Sequence, residues 1–108
     1  MRTPRRGEVW LVDLGLAAKI RPCLVLGAPA ADEDRALVTD VPHTTSLRGT
    51  RYEVSVAVRF LRSGAFDGQG LVTVPTVRLM RPLGSLSSEQ LKAVVDGVVL
   101  WLGITVGF

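Results

Sequence analysis

The sequence predicts a mainly β (α+β) fold: a small barrel or curled antiparallel sheet of five to seven strands, with one C-terminal α-helix. Three observations carry this. Short Val-rich runs recur through residues 8–83, separated by clusters of Gly, Pro, Asp and Ser. The apolar spacing turns helical only after residue 85. A chain of 108 residues, 47% hydrophobic, has material for one modest core and hence one domain over 1–108.

The elements follow in order. "EVWLVDL" (8–14) reads as a strand, with Val9, Leu11 and Asp13 on one face and Trp10, Val12 and Leu14 on the other. That position makes Trp10 a core or interface residue. After the loop "GLAAKI", Pro22 opens a second strand, "PCLVLG" (22–27), apolar on both faces. Proline also biases the preceding Arg21 toward extended backbone. "APAADEDR" (28–35) is a turn whose Asp32, Glu33 and Asp34 are solvated, and "ALVTDV" (36–41) is the third strand. "PHTTSLRGT" (42–50) is a long turn, rich in side chains that bond to backbone. "RYEVSVAV" (51–58) alternates as a strand, residues 62–69 form a loop, and "GLVTV" (70–74) and "TVRLMRPL" (76–83) complete the strands. "SLSSEQLKAVVDGVVLWLG" (85–103) is the helix. Ser87 and Gln90 make a capping box, Leu86 and Leu91 a hydrophobic staple, and Gly103 a C-terminal cap. Gly97 costs about 1 kcal/mol against alanine inside a helix, so it marks a close packing contact. The apolar tail "ITVGF" can dock on the domain or on a partner.

Composition narrows the chemistry. The formal net charge is +3, and arginine supplies eleven of the 13 cations. Its planar fork suits phosphate or carboxylate, so nucleic acid and an acidic protein are both admissible partners. One cysteine, Cys23, allows neither an internal disulfide nor a cysteine metal cluster, which fits a reducing cytoplasm. Inside a strand it reads as a small buried hydrophobe. No stretch approaches membrane-spanning length, so no membrane partner is expected. One histidine and one cysteine cannot build the usual zinc sets, and "GAFDGQG" (64–70) lacks the Lys–Ser ending of a phosphate loop. Neither a metal nor a cofactor is expected. What remains is arginine, threonine, serine and the lone His43. That kit suits RNA cleavage by the ribose's own 2′-hydroxyl, where the protein supplies no nucleophile. DNA lacks that hydroxyl.

Four stretches then point one way: "RRGEVWLVDLG" (5–15), "KIRPCLVLG" (19–27), "VTDVPHTTSLRGTRYEVSV" (38–56) and "GLVTVPTVRLMRPLGSLSSEQLKAV" (70–94). In order and spacing the chain resembles the MazF/PemK family of toxin endoribonucleases. The resemblance implies an SH3-like barrel with a C-terminal helix, working as a cytoplasmic homodimer. It implies metal-independent, sequence-selective cleavage of single-stranded RNA, leaving 2′,3′-cyclic phosphate and 5′-hydroxyl ends. It also implies a cognate antitoxin that blocks the RNA groove. Carried over residue by residue, Arg21 of the Arg–Pro pair and Thr44 are the catalytic residues. His43, Thr45 and Ser46 are possible assistants. Lys19, Arg48, Arg51, Arg78 and Arg81 are RNA-binding candidates. Arginine's high pKa favours an electrostatic role for Arg21, with proton transfer implied by the family. Where members carry small residues this chain has Lys19 and Ile20, and Pro75 and Thr76 replace a segment that frames the site. Two alternatives use the same scaffold: a non-enzymatic toxin that binds a protein such as DNA gyrase, through the helix end, and a catalytically weakened homologue.

Overall fold

Antiparallel neighbours in sequence make half of the strand pairings, because polar turns return the second strand beside the first, the third beside the second and the fifth beside the fourth. The computed structural model describes residues 3–15, 17 and 19–104; Arg2 and the tail from 105 onward lie outside them. The elements are β1 (Glu8–Asp13), β2 (Ile20–Val25), β3 (Leu37–Thr44), β4 (Glu53–Val54), β5 (Ala65–Asp67), β6 (Val72–Pro75), β7 (Leu79–Ser85) and α1 (Ser88–Leu102). Single 3-10 turns at Gly68–Gly70 and Thr76–Arg78 lead into β6 and β7. The strand order is β4-β5-β3-β2-β1-β7, with β6 paired to β3. Every pairing is antiparallel.

That order is open. It ends at β4 on one side and β7 on the other, and no ladder among the described residues joins them. The expected barrel or curled sheet is therefore corrected to an open seven-stranded sheet; the mainly β character and the C-terminal helix stand. The cause lies in residues 51–58, where alternation predicts a full strand. Only Glu53 and Val54 pair, with Asp67 and Phe66. Val56 and Val58 still pack on the core, but their backbone joins no strand. The Phe60 ring packs instead on the face of β7, where a Cβ on Gly84 would lie 2.4 Å from it.

The two faces of the sheet carry separate cores. Val9, Leu24, Val41 and Phe66 lie on one, and α1 lays Val94 and Val98 against them. Trp10, Val12, Cys23 and Val25 lie on the other, joined by Val74 of β6 and Leu79 of β7. The two faces expected for β1 are thus the two observed, and each buried Val or Leu contributes roughly 1.5–3 kcal/mol. Trp10 is wholly buried, and its indole N–H donates to Glu8 Oε1 at 3.2 Å. The helix begins three residues later than the sequence suggests, because Ser85 still pairs with Glu8 and Leu86 N–H donates to the Gly7 carbonyl. The capping box is as expected: Gln90 N–H donates to Ser87 Oγ at 3.1 Å, and Ser87 N–H to Gln90 Oε1 at 2.9 Å. Gly103 ends the helix at φ 67°. A Cβ on Gly97 would lie 2.9 Å from Val54 Cγ2, so this glycine does let α1 close on β4.

One buried group is out of keeping with its surroundings. Asp40 is 0% exposed, and both carboxyl oxygens lack a hydrogen-bond partner among the described residues. Burial pushes it up from 3.8 to about 7. The folded state then binds more protons than the unfolded chain between these values, so Asp40's contribution falls as pH rises through that window and levels off above it. Burial lowers His43, which acts with the opposite sign. Comparison with Asp40→Asn isolates the carboxyl. Between pH 5 and pH 7 the wild type should lose about 1.4 kcal/mol per pH unit relative to the variant, a gap of several degrees in Tm by calorimetry. A gap independent of pH would refute the assignment.

Candidate functional site

The β2–β3 ladder sets the geometry. Cys23 pairs with Pro42, Leu24 with Val41 and Val25 with Asp40. Continued by two residues, the same register sets Arg21 opposite Thr44. Alternation puts both side chains at the rim of the Trp10–Cys23 face, and both line one open cleft of about 610 Å³ with Ser46 and Arg48. Thr44 is the last residue of β3, not part of a turn, because His43 and Thr44 pair with Phe66 and Ala65 of β5. The turn starts just after it: Ser46 N–H donates to Thr44 Oγ1 at 3.0 Å. The hydroxyl's own proton reaches the Ser46 carbonyl only at 3.4 Å, a weak bond that an anion's oxygen can displace. Behind Thr44 the chain is packed to the limit, since a Cβ on Gly64 would lie 2.2 Å from the Thr44 carbonyl oxygen.

The wall beyond Thr44 is held by one carboxylate. Glu53 accepts backbone N–H groups from Arg48 at 3.0 Å, Gly49 at 2.7 Å and Thr50 at 3.1 Å. These bonds, that from Arg48 first, hold its carboxyl below the usual range, so it stays ionised and the loop carrying Arg48 stays folded. Across the cleft Asp67 caps the 3-10 turn, accepting Gln69 N–H at 3.1 Å.

The other candidates lie elsewhere. His43 points to the opposite face, buried, with its ring edge-on to Phe66 at 5.1 Å and Nε2 unpartnered. Burial lowers its pKa, which favours the neutral ring. With Thr45 and Lys19 it borders a separate groove of about 430 Å³, which Arg21 also borders. Lys19 takes a left-handed backbone, φ 62°, a conformation that suits glycine better. Arg78 pairs with Asp13 at 3.7 Å, and both line a third depression with Lys19. Arg51 donates to the Tyr52 hydroxyl at 2.9 Å and lies over that ring. Arg81 is exposed on β7, opposite Leu11. So Arg21, Thr44, Ser46 and Arg48 come together, and the remaining six do not join them in this cleft. Glu53, Asp67, Gln69 and Trp101 line the cleft but were not foreseen as site residues. The only advance signal was the turn chemistry of "DGQG". Among the described residues, no group of three or more His, Cys, Asp and Glu side chains is placed to hold a metal.

Comparison with known proteins identifies the family. The family model for the PemK-like, MazF-like toxins of type II toxin–antitoxin systems matches residues 5–102. Endoribonuclease MazF9 of Mycobacterium tuberculosis is 28% identical over 115 residues, covering 93% of this chain and 97% of that protein. Among solved structures, a mycobacterial endoribonuclease in complex with its cognate antitoxin superposes with a TM-score of 0.81 at 23% identity, over 96% of this chain and 99% of that one. The M. tuberculosis toxin MazF-mt6 gives 0.76 at 27% identity, covering 91% and 98%.

Gly64→Ala tests the packing behind Thr44. Its methyl must displace backbone, so stability should fall by about 1–3 kcal/mol or more, read as a lower urea midpoint. A midpoint equal to that of the wild type would mean the close approach is absent.

Proposed function

This chain belongs to the PemK-like, MazF-like toxins of type II toxin–antitoxin systems, and from that premise we propose that its cleft cuts single-stranded RNA with Arg21 and Thr44. As a member of this family the chain is an endoribonuclease. The observation that carries the site is the pairing across β2 and β3, which aims a guanidinium and a hydroxyl into one cleft.

The reaction needs little from the protein. The ribose 2′-oxygen attacks the adjacent phosphorus, a P–O2′ bond forms and the P–O5′ bond breaks. The bonding pair leaves on the 5′-oxygen, which gains a proton as the 2′-hydroxyl loses one. The products are a 2′,3′-cyclic phosphate and a 5′-hydroxyl, with no water consumed. Charge accumulates on the phosphoryl oxygens, where Arg21 and the Thr44 hydroxyl donate. Arg48 sits where it can hold a neighbouring phosphate.

The partners follow from the same reading. A cognate antitoxin neutralises the toxin; an acidic chain suits the protein's formal net charge of +3. The toxin works as a homodimer in the cytoplasm, where its RNA is. The exposed apolar side chains Val77 and Met80, at and just before the free edge of β7, support a second copy there. Among the described residues, no helix is long and apolar enough to cross a membrane.

Incubation with mixed-sequence RNA in chelator, followed by end mapping, tests the site. Arg21→Ala should lower kcat about 100- to 1000-fold, and Thr44→Ala roughly 10- to 100-fold. Cutting by Arg21→Ala at the wild-type rate would remove Arg21 from the mechanism. For Arg48→Ala, the slope of log affinity against log salt should shrink by about 0.7, the value for one phosphate contact on a single strand. An unaltered slope would place Arg48 off the RNA path.

A further inference from the structure

We propose that Trp101, near the C-terminus of α1, is the platform on which an unpaired base of the RNA stacks. This assigns base recognition to the same cleft, and so rests on the reading of that cleft as the RNA site. Trp101 lines the cleft that holds Arg21 and Thr44. It is 44% exposed, whereas Trp10, the chain's other tryptophan, is 0% exposed. A large ring left partly in solvent beside a phosphate-binding pair offers aromatic surface for a base to cover. The ring is also held in place: it meets Tyr52 edge to face at 5.3 Å and 65°, and the Arg51 guanidinium lies over the Tyr52 ring at 5.1 Å. A ring fixed in advance loses little rotational freedom when a base settles on it.

Gln69 gives the platform a means of selection. It lines the same cleft, its side chain is exposed, and Asp67 fixes its backbone. An amide both donates and accepts, so it can read one edge of a stacked base. Bases in a duplex have their faces covered by neighbours, so this arrangement selects a splayed, single-stranded base.

The test separates binding from cutting. The probe is mixed-sequence RNA methylated at every 2′-oxygen, which has no nucleophile. Its addition should quench the fluorescence of the exposed Trp101 in the wild type. Trp101→Ala should raise Kd roughly 5- to 150-fold, while Trp101→Phe, which keeps a stacking ring, should stay within about threefold of the wild type. With cleavable RNA, Trp101→Ala should raise KM far more than it lowers kcat. The proposal fails if Trp101→Ala binds the probe within twofold of the wild type, or if Trp101→Phe binds as weakly as the alanine variant. It also fails if lost binding comes with a changed sedimentation coefficient, which would make the ring a contact between copies. Failure of the site reading looks different: Arg21→Ala would cut like the wild type, whatever the probe titration gives.

Discussion

The register between β2 and β3 is the constraint on which the rest depends. Side chains on a strand alternate strictly, so a slip of one residue would turn Arg21 toward the α1 face and Cys23 out of its core. Apolar side chains on both faces resist that slip. Leu24 and Val41 belong to one core, and Cys23 and Val25 to the other. Energy spread over two cores thus fixes the position of one half-buried cation. The site is a by-product of packing, and its precision is that of the ladder.

The cleft is built from opposite kinds of order. Its floor is strand, with a glycine pressed against the Thr44 carbonyl. Its far wall is loop, and order there comes from a single carboxylate gathering three backbone N–H groups. Each such bond contributes modestly in water, but together they answer the loop's unpaired donors without a partner strand. A rigid floor with a separately tied wall lets the wall vary in sequence while Arg21 and Thr44 stay put.

Much of this was legible because it is local. The two faces of β1, the capping box at Ser87 and Gln90, and the close approach at Gly97 each follow from a few neighbouring residues. The likeness between four stretches of this chain and the toxin family also lay open in the letters. What escaped depends on distant partners. The alternation of 51–58 records that Val54, Val56 and Val58 face a core, but not whether a strand lies alongside; none does beyond Val54. His43 and Thr44 read as turn because the strand that extends β3 past Pro42 begins more than 20 residues later. Asp40 sits in "VTDV" with nothing nearby to announce that its carboxyl would be enclosed without a hydrogen-bond partner among the described residues. Trp101 reads as one more apolar residue of the helix, and only the fold shows that α1 ends beside the cleft.

Cys23 carries a consequence of another kind. It is the chain's single thiol, fully buried, and burial together with nearby Asp40 holds it in the protonated form. The thiolate is the nucleophile that attacks a thiol reagent, so the native molecule is inert to such a reagent. Modification can proceed only during excursions that separate the central strands. The rate of labelling is therefore a clock for those openings, set in the same strand as Arg21, and it needs no engineered reporter.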